Sequence, residues 1–471
     1  MKYIYDDIHK MKKVSELIDY IPIKSIEKVA TLLLVIWVLS PIIVMFSNCS
    51  MQDMEDLDFM FKQIAITTSW YEILQTTGFL GCILGIIIFS KSILKAKTQK
   101  ISIKQYIKNN LICIFLVLML FWSIISCLAS DNIDISFNGT LYRKEGLVTY
   151  FTYYGIFCCG YVVRKKRFIQ YILEIFTLVA TVLSILTLIN SEALNNFFGL
   201  TVNTAVFSQF NHFAYYLCMS LMCTLLLFQT EKKSIPKLMF RITIFAVITA
   251  GLVENGALGP YLAVIIGLLC SVILAIWLNK KLLKRTLIAV CVFISVTAIM
   301  NISNDHTFSD FKTLSGDISK IASEAPDVDS AGTGRWILWM NGLRFISEKP
   351  VLGYGPDNLG EQYAKANIGT DRPHNELIQF AASIGIPAAI FYIIAIYSYF
   401  LVFLKVRKRV STLEIAMLCG VIAYLVSSMF GNTMYYTSPF FFMILGLSAG
   451  RQKLLLEYEY DMQLQEVAKM P

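Results

Sequence analysis

Residues 111–129 read LICIFLVLMLFWSIISCLA. No charge interrupts this run, and as a helix it rises about 28 Å, close to the roughly 30 Å hydrocarbon thickness of a bilayer. Its apolar residues are continuous and do not alternate with polar ones, so it reads as a helical span and not as a strand of a barrel. The span, placed near 110–129, has counterparts near 29–47, 72–90, 146–163, 168–188, 212–229, 240–253, 257–278, 286–302, 387–404, 413–430 and 436–450. The composition agrees. The chain of 471 residues is 56% hydrophobic and only 16% charged, against about 25% charged in an ordinary soluble domain, and its mean hydropathy is +0.61. The predicted fold is all-α: a polytopic helical membrane protein of about twelve transmembrane helices.

Basic residues cluster between these runs: Lys91, Lys95, Lys97 and Lys100; Arg164 to Arg167; Lys232, Lys233 and Lys237; Lys280, Lys281, Lys284 and Arg285; Lys405 and Arg407 to Arg409. With the spans above, every cluster falls on the side of the N-terminus, which the positive-inside rule makes cytoplasmic. The opposite loops carry Asp53, Glu55, Asp56, Asp58, Asp131 and Asp134. Both termini are therefore expected in the cytoplasm. The net charge of +8 reflects these loops and excludes nucleic acid as the expected partner. The N-terminal segment 1–28 is charged and has no cleavable signal pattern, which leaves the first span as an uncleaved anchor. The cysteines fall mostly inside apolar runs (Cys113, Cys158, Cys159, Cys218, Cys223) without ligand spacing, so neither a disulfide framework nor a zinc site is expected. No internal repeat supports an inverted-repeat transporter.

The expected organisation is a cytoplasmic segment 1–28, nine spans over 29–302, a large outer loop 303–386, three spans over 387–450 and a cytoplasmic tail 451–471. Glu254, in the tight outer turn with Asn255, Gly256, Gly259 and Pro260, is either a functional group near the membrane or a solvated turn residue. The first part of the loop, NDHTFSDFKTLSGDISKIASEAPDVDSAGTG, is polar and expected to be mobile. In the second part, Trp336, Trp339, Met340 and Leu343 recur at helical spacing within RWILWMNGLRFI (335–346). They predict an amphipathic helix lying at the membrane surface. Lys349-Pro350 ends it, GYGP (353–356) makes a turn, and a short polar helix with Gln362 and Tyr363 follows.

Within this loop, GRWILWMNGLRFISEKPVLGYGPDNLGEQYAKANIGTDRPHNELIQFAASIGIPAAIFYI (334–393) resembles the O-antigen ligase and O-antigen polymerase family of membrane glycosyltransferases. Gly334, Arg335 and Trp336 match the family's Arg-Trp helix. Pro350, Gly353 and Gly355 match its Pro-x-x-Gly-x-Gly turn, and His374 and Asn375 match the His-Asn pair opening a helix that Gly385 closes. Upstream, LYRKEGLVTYFTYYGIF (141–157) resembles the family's outer-loop Arg before an aromatic span, and FSQFNHFAYYL (207–217) its Asn-centred start of the sixth span. An Arg common in or beside a later span of the family has no counterpart in GLVENGALGPYLA (251–263).

The resemblance implies a GT-C-like arrangement in a bacterial inner membrane. It also implies an undecaprenyl-diphosphate-linked glycan donor and metal-independent, inverting transfer to a glycan or lipid-linked acceptor, with no cofactor. Membrane lipid is a further partner, and other polysaccharide-assembly proteins are candidates. The chemistry asks for two things. Negative charge grows on the departing diphosphate, which a guanidinium fork is suited to meet. The acceptor hydroxyl must lose a proton, which a neutral imidazole accepts near neutral pH.

In this reading His374 is the acceptor base, Arg335, Arg372 and Arg143 hold the diphosphate, and Asn375, Asp371, Asn211 and His212 shape the sugar pocket. Gly353 and Gly355 serve the turn. Each has a plainer alternative: His374 as a polar residue of a surface helix, Asn375 as a helix cap, the arginines as lipid-headgroup contacts, and His212 as a packing residue. Arg344 is expected to face solvent or headgroups. Polymerase, ligase and a lipid-linked-oligosaccharide flippase remain open, with polymerase preferred.

Overall fold

Every predicted span is covered, to within two residues at either end, by a helix of the computed structural model, which describes residues 14–49, 59–200, 203–231, 234–304, 316–317, 320, 323, 328–332 and 334–467. In chain order the helices are α1 (Val14–Tyr20), α2 (Ile23–Cys49), α3 (Phe59–Thr98), α4 (Ile103–Lys108), α5 (Leu111–Leu128), α6 (Ile133–Asn138), α7 (Leu147–Val162), α8 (Lys166–Ile189), α9 (Glu192–Phe198) and α10 (Phe210–Thr230). They continue with α11 (Ile235–Asn255), α12 (Leu258–Leu278), α13 (Leu283–Asn304), α14 (Arg335–Glu348), α15 (Leu359–Lys365), α16 (Glu376–Ile384), α17 (Ile386–Val406), α18 (Thr412–Ser428) and α19 (Ser438–Val467). Among the described residues no strand forms, and nine helices are long and apolar enough to cross a membrane. The shorter apolar helices α7 and α18 and the apolar first half of α19 account for the remaining predicted spans. The chain is an all-α, multi-pass membrane protein.

Two helices run far beyond the predicted spans. α19 continues to Val467 because RQKLLLEYEYDMQLQEV after Gly450 holds good helix formers and no breaker. α3 begins at Phe59, well before the apolar run. The predicted acidic loop residues Asp53, Glu55, Asp56 and Asp58, and most of the polar part of the large loop, lie outside the described residues.

Small residues set the packing at the centre, as expected where helix association in lipid depends on close contact. α7 lies between α3 and α19. A Cβ at Gly155 would collide with the Gly78 carbonyl, and one at Gly446 with the carbonyl of Phe157. This contact fixes the height of α7 and of the loop in front of it.

The GYGP turn is clamped from both sides. Ser126 Oγ donates to Leu352 O at 2.6 Å and Trp122 Nε1 to Val351 O at 3.1 Å, both from α5. Gly355 N donates to Ser383 O at 2.7 Å and Ile386 N to Pro350 O at 2.8 Å, on the far side of α16. Gly353 has φ +66 and no room for a side chain against the Ser383 carbonyl. Gly353→Ala is therefore expected to destabilise the protein by about 1–3 kcal/mol from the left-handed backbone, with the collision added. Gly369→Ala, at a site with nothing within 4 Å, should leave the unfolding midpoint in detergent unchanged.

The amphipathic helix exists as α14, and it packs on the protein through residues outside the predicted membrane-surface stripe. Leu338, Gly342 and Phe345 are buried where α14 packs on α16, while Met340 and Leu343 are 47% and 49% exposed. Gly342 decides it: Ile378 and Pro373 approach so closely there that a larger residue would hold the helices apart. Tyr363 of α15 is fully buried and donates its hydroxyl to Leu338 O at 2.8 Å, tying α15 to α14. The predicted outer turn before α12 contracts to Gly256, at φ +77, and Ala257.

Candidate active site

Three polar segments meet at one end of the bundle: residues 139–146 before α7, 371–375 before α16, and 429–437 between α18 and α19. One pair joins the first two of them across 228 residues of chain. Arg143 forks onto Asp371, with Nε to Oδ2 at 2.7 Å and Nη2 to Oδ1 at 2.8 Å. The arginine side chain is 11% exposed and the aspartate 36%. Burial alone would raise the Asp371 carboxyl, but Arg143, helped by Arg372, brings it down to about 2. Arg143 Nη1 is buried without a hydrogen-bond partner.

Arg372, expected to grip a ligand diphosphate, is turned inward instead. Its side chain is 3% exposed. Nη2 donates to Asp357 Oδ1 at 2.5 Å and Nη1 to Thr433 O at 2.9 Å. Its neighbouring carboxylates, led by Asp357, hold the guanidinium charged above its ordinary range against the opposing pull of burial. Asp357 Oδ2 also accepts from Thr140 N at 2.6 Å and Thr140 Oγ1 at 2.9 Å. One carboxylate thus joins the segment after the glycine turn, the loop carrying Arg143 and the loop carrying His374.

His374 has φ +51, a left-handed backbone that non-glycine residues adopt uncommonly, and its half-buried ring lies with Nδ1 3.2 Å from the Asn432 side-chain amide. Burial pushes the imidazole down to about 4, and the positive charges of Arg335 and Arg143 act in the same direction. At neutral pH the ring is neutral. Asn375 uses both ends of its amide within the fold: Oδ1 accepts from Leu377 N and Ile378 N at 3.1 Å each, and Nδ2 donates to Met429 O at 3.1 Å. It caps α16 and ties it to the end of α18. Arg335, at the first position of α14, donates from Nη1 to Gly332 O at 3.1 Å and from Nε to Phe430 O at 3.3 Å.

Two further groups back this arrangement. Glu145 is fully buried, accepts from the Tyr153 hydroxyl, and is pushed by burial up to about 7 against the opposing charge of Arg372. His212 closes a polar chain in which Tyr142 OH lies 2.9 Å from Ser208 Oγ, Ser208 meets the Tyr436 hydroxyl, and that hydroxyl lies 2.7 Å from His212 Nδ1.

The structure therefore brings Arg143, Arg335, Arg372, Asp371 and His374 together, and His212 reaches Tyr142, the neighbour of Arg143 in sequence, through Tyr436 and Ser208. Asn211 is half-buried at the first turn of α10. Arg344 is exposed and pairs with Glu348 of its own helix at 3.5 Å. Gly353 and Gly355, at φ +66 and +97, form the turn. Sequence reasoning missed Asp357, Asn432, Thr433 and Glu145. Asp357 had one cue, a carboxylate straight after the Gly-x-Gly-Pro turn. Asn432 and Thr433 read only as a gap between two apolar runs.

No curated protein matches the chain. Residues 243–393 match the family model described as O-antigen ligase. That segment runs from α11 into α17 and contains Arg335, the glycine turn, Asp357, Asp371, Arg372 and His374, while Arg143 precedes it. Over residues 243–393, about a third of its length, the chain is similar to the O-antigen ligase family of membrane proteins.

Proposed function

We propose that the chain transfers a glycan from a polyprenyl-diphosphate-linked donor to an acceptor hydroxyl during surface-polysaccharide assembly, as a polymerase acting on the outer side of a bacterial inner membrane. The observation that carries this reading is that the fold gathers His374 with Arg335 and with Arg143, whose Nη1 is buried and unsatisfied. An unsatisfied buried donor costs about 1–3 kcal/mol, and an anionic oxygen of a bound diphosphate would remove that cost.

In the transfer, the acceptor oxygen bonds to the anomeric carbon from the face opposite the leaving group, so the configuration inverts. The anomeric C–O bond breaks and its electron pair leaves with the polyprenyl diphosphate. The acceptor proton passes to His374. Arg143 and Arg335 meet the charge that grows on the leaving group, a contribution larger in the transition state than in the ground state, and no metal is required in this scheme. Arg372 acts as a positioning residue, since its side chain is 3% exposed and is held inward by Asp357 and Thr433.

Asn432 decides which imidazole nitrogen is the base. The Asn432 amide nitrogen lies against Nδ1 while its Oδ1 is buried without a partner; turning the amide over satisfies Oδ1, keeps the proton on Nδ1 and leaves Nε2 to accept one. Asn432→Ala should lower kcat about tenfold or more with little change in KM. Asn432→Asp, which can only accept from Nδ1–H, should keep most of the activity and move the acid limb of the pH profile upward. Equal kcat in all three proteins would remove Asn432 from this role.

The description of the matched family favours a second reading, a ligase that moves a finished glycan to a different acceptor. Incubation of purified protein with a defined polyprenyl-diphosphate oligosaccharide tests both. Ladders of lipid-linked product support the polymerase, a single transfer to a foreign acceptor supports the ligase, and no new glycosidic bond with any acceptor would overturn both in favour of transport.

A further inference from the structure

At the end of the bundle opposite His374, the last turns of α3 and α17, helix α4 and the continuation of α19 enclose a cavity of about 390 Å³. That volume lies within the roughly 300–1,000 Å³ of small-ligand sites. Four separate elements each contribute one lysine to it: Lys95, Lys108, Lys405 and Lys453. The acidic lining is Glu457 and Glu459, and Glu457 is already held by Arg164 at 3.1 Å. Among the described residues no carboxylate lies within ion-pair distance of any of the four lysines. Lys453, half-buried, donates only to the Asn109 carbonyl, at 3.0 Å.

Four ammonium groups against two carboxylates, one of them already held by Arg164, leave the cavity with an excess of positive charge, and the repulsion grows as water is excluded. An anion placed between them reverses the sign. The surroundings indicate its kind. α4 lines the cavity with Gln105, Tyr106 and Lys108 and buries none of its residues, and its Ile103 and Ile107 stand 80% and 44% exposed. A short helix with bare isoleucines beside a lysine-lined cavity suits a ligand with an anionic head and an apolar tail.

We propose that this cavity binds the phosphate of an anionic membrane lipid, with Lys95, Lys108, Lys405 and Lys453 as counter-charges and Ile103 and Ile107 of α4 meeting the acyl chains. The site is separate from the His374 centre and does not depend on the reaction proposed there. Free phosphate shares the headgroup chemistry, and the test separates the two sources.

The unfolding midpoint of the full chain in non-ionic detergent is measured against increasing phosphatidylglycerol, phosphatidylcholine or inorganic phosphate. One variant carries Lys95→Gln, Lys108→Gln and Lys405→Gln. A control carries Lys280→Gln, Lys281→Gln and Lys284→Gln, removing equal charge at the same end of the bundle away from the cavity. Phosphatidylglycerol should raise the midpoint of the wild type and the control while phosphatidylcholine does not. The cavity variant should need at least about tenfold more lipid for the same effect. If the triple variant does not fold, Lys405→Gln alone should weaken the response severalfold, with the lipid bound counted by native mass spectrometry. Protection by inorganic phosphate without protection by phosphatidylglycerol would overturn the lipid as occupant. An equal response in cavity variant and control, or no response in the wild type, would overturn the site.

Discussion

His374→Ala is expected to cut turnover by about 10²–10⁴-fold while donor affinity stays nearly unchanged, because the imidazole acts on the acceptor proton. The pH dependence sharpens this. The proton-accepting form is lost as pH falls through the imidazole's own value, which burial and the charges of Arg335 and Arg143 hold at about 4 in the ligand-free protein. A bound diphosphate offsets those charges and should lift that value toward the ordinary histidine range. The acid limb of kcat/KM, which reports the free enzyme, should therefore lie at lower pH than the limb of kcat, which reports the donor complex. Both limbs should vanish in the alanine variant. Near-normal turnover with an unchanged profile in well-folded His374→Ala would leave His374 as a surface residue only.

The arginines should fail in different ways. Arg143→Ala should weaken donor binding and turnover together, and Arg143→Lys should rescue only part, since an ammonium lacks the fork that meets two oxygens at once. Arg372→Ala should act first on stability. It strands Asp357, whose side chain is 3% exposed, and breaking a buried pair by removing one partner costs about 3–5 kcal/mol. Adding Asp357→Asn removes the stranded charge and should recover part of the lost unfolding midpoint without restoring full activity. Arg344→Ala, at an exposed position, should be mild. Thermal unfolding in detergent beside donor titration separates the cases. Arg372→Ala with a wild-type midpoint and weakened donor binding would return Arg372 to the diphosphate.

The spans were legible because a lipid solvent demands long unbroken apolar runs, as at 111–129, and nothing local competes with that demand. The helix termini were less so. Continuation of α19 to Val467 depends on the lack of a breaker after Gly450, which a hydropathy reading ignores. The packed face of α14 was not legible for a different reason. A helix between protein and membrane is apolar on two sides, and periodicity alone does not separate Leu338 and Phe345, which pack, from Met340 and Leu343, which remain exposed. In the site, Arg143, Arg335, Asp371, Arg372 and His374 were chosen by residue type and motif, and the fold gathers them. What sequence could not carry was which side chains pair: Arg143 with Asp371, Arg372 with Asp357, His374 with Asn432. Those pairings turn Arg372 inward and leave one donor of Arg143 unanswered.

The most direct measurement uses purified protein in liposomes with a donor labelled in its polyprenyl chain and an acceptor labelled in its sugar. Free polyprenyl diphosphate and new glycosidic product are counted together over time. The account predicts one polyprenyl diphosphate released for each glycosidic bond formed in the wild type, with both falling together in His374→Ala and Arg143→Ala. Labelled donor that crosses the bilayer intact with no diphosphate released, or release undiminished in well-folded His374→Ala, would contradict it.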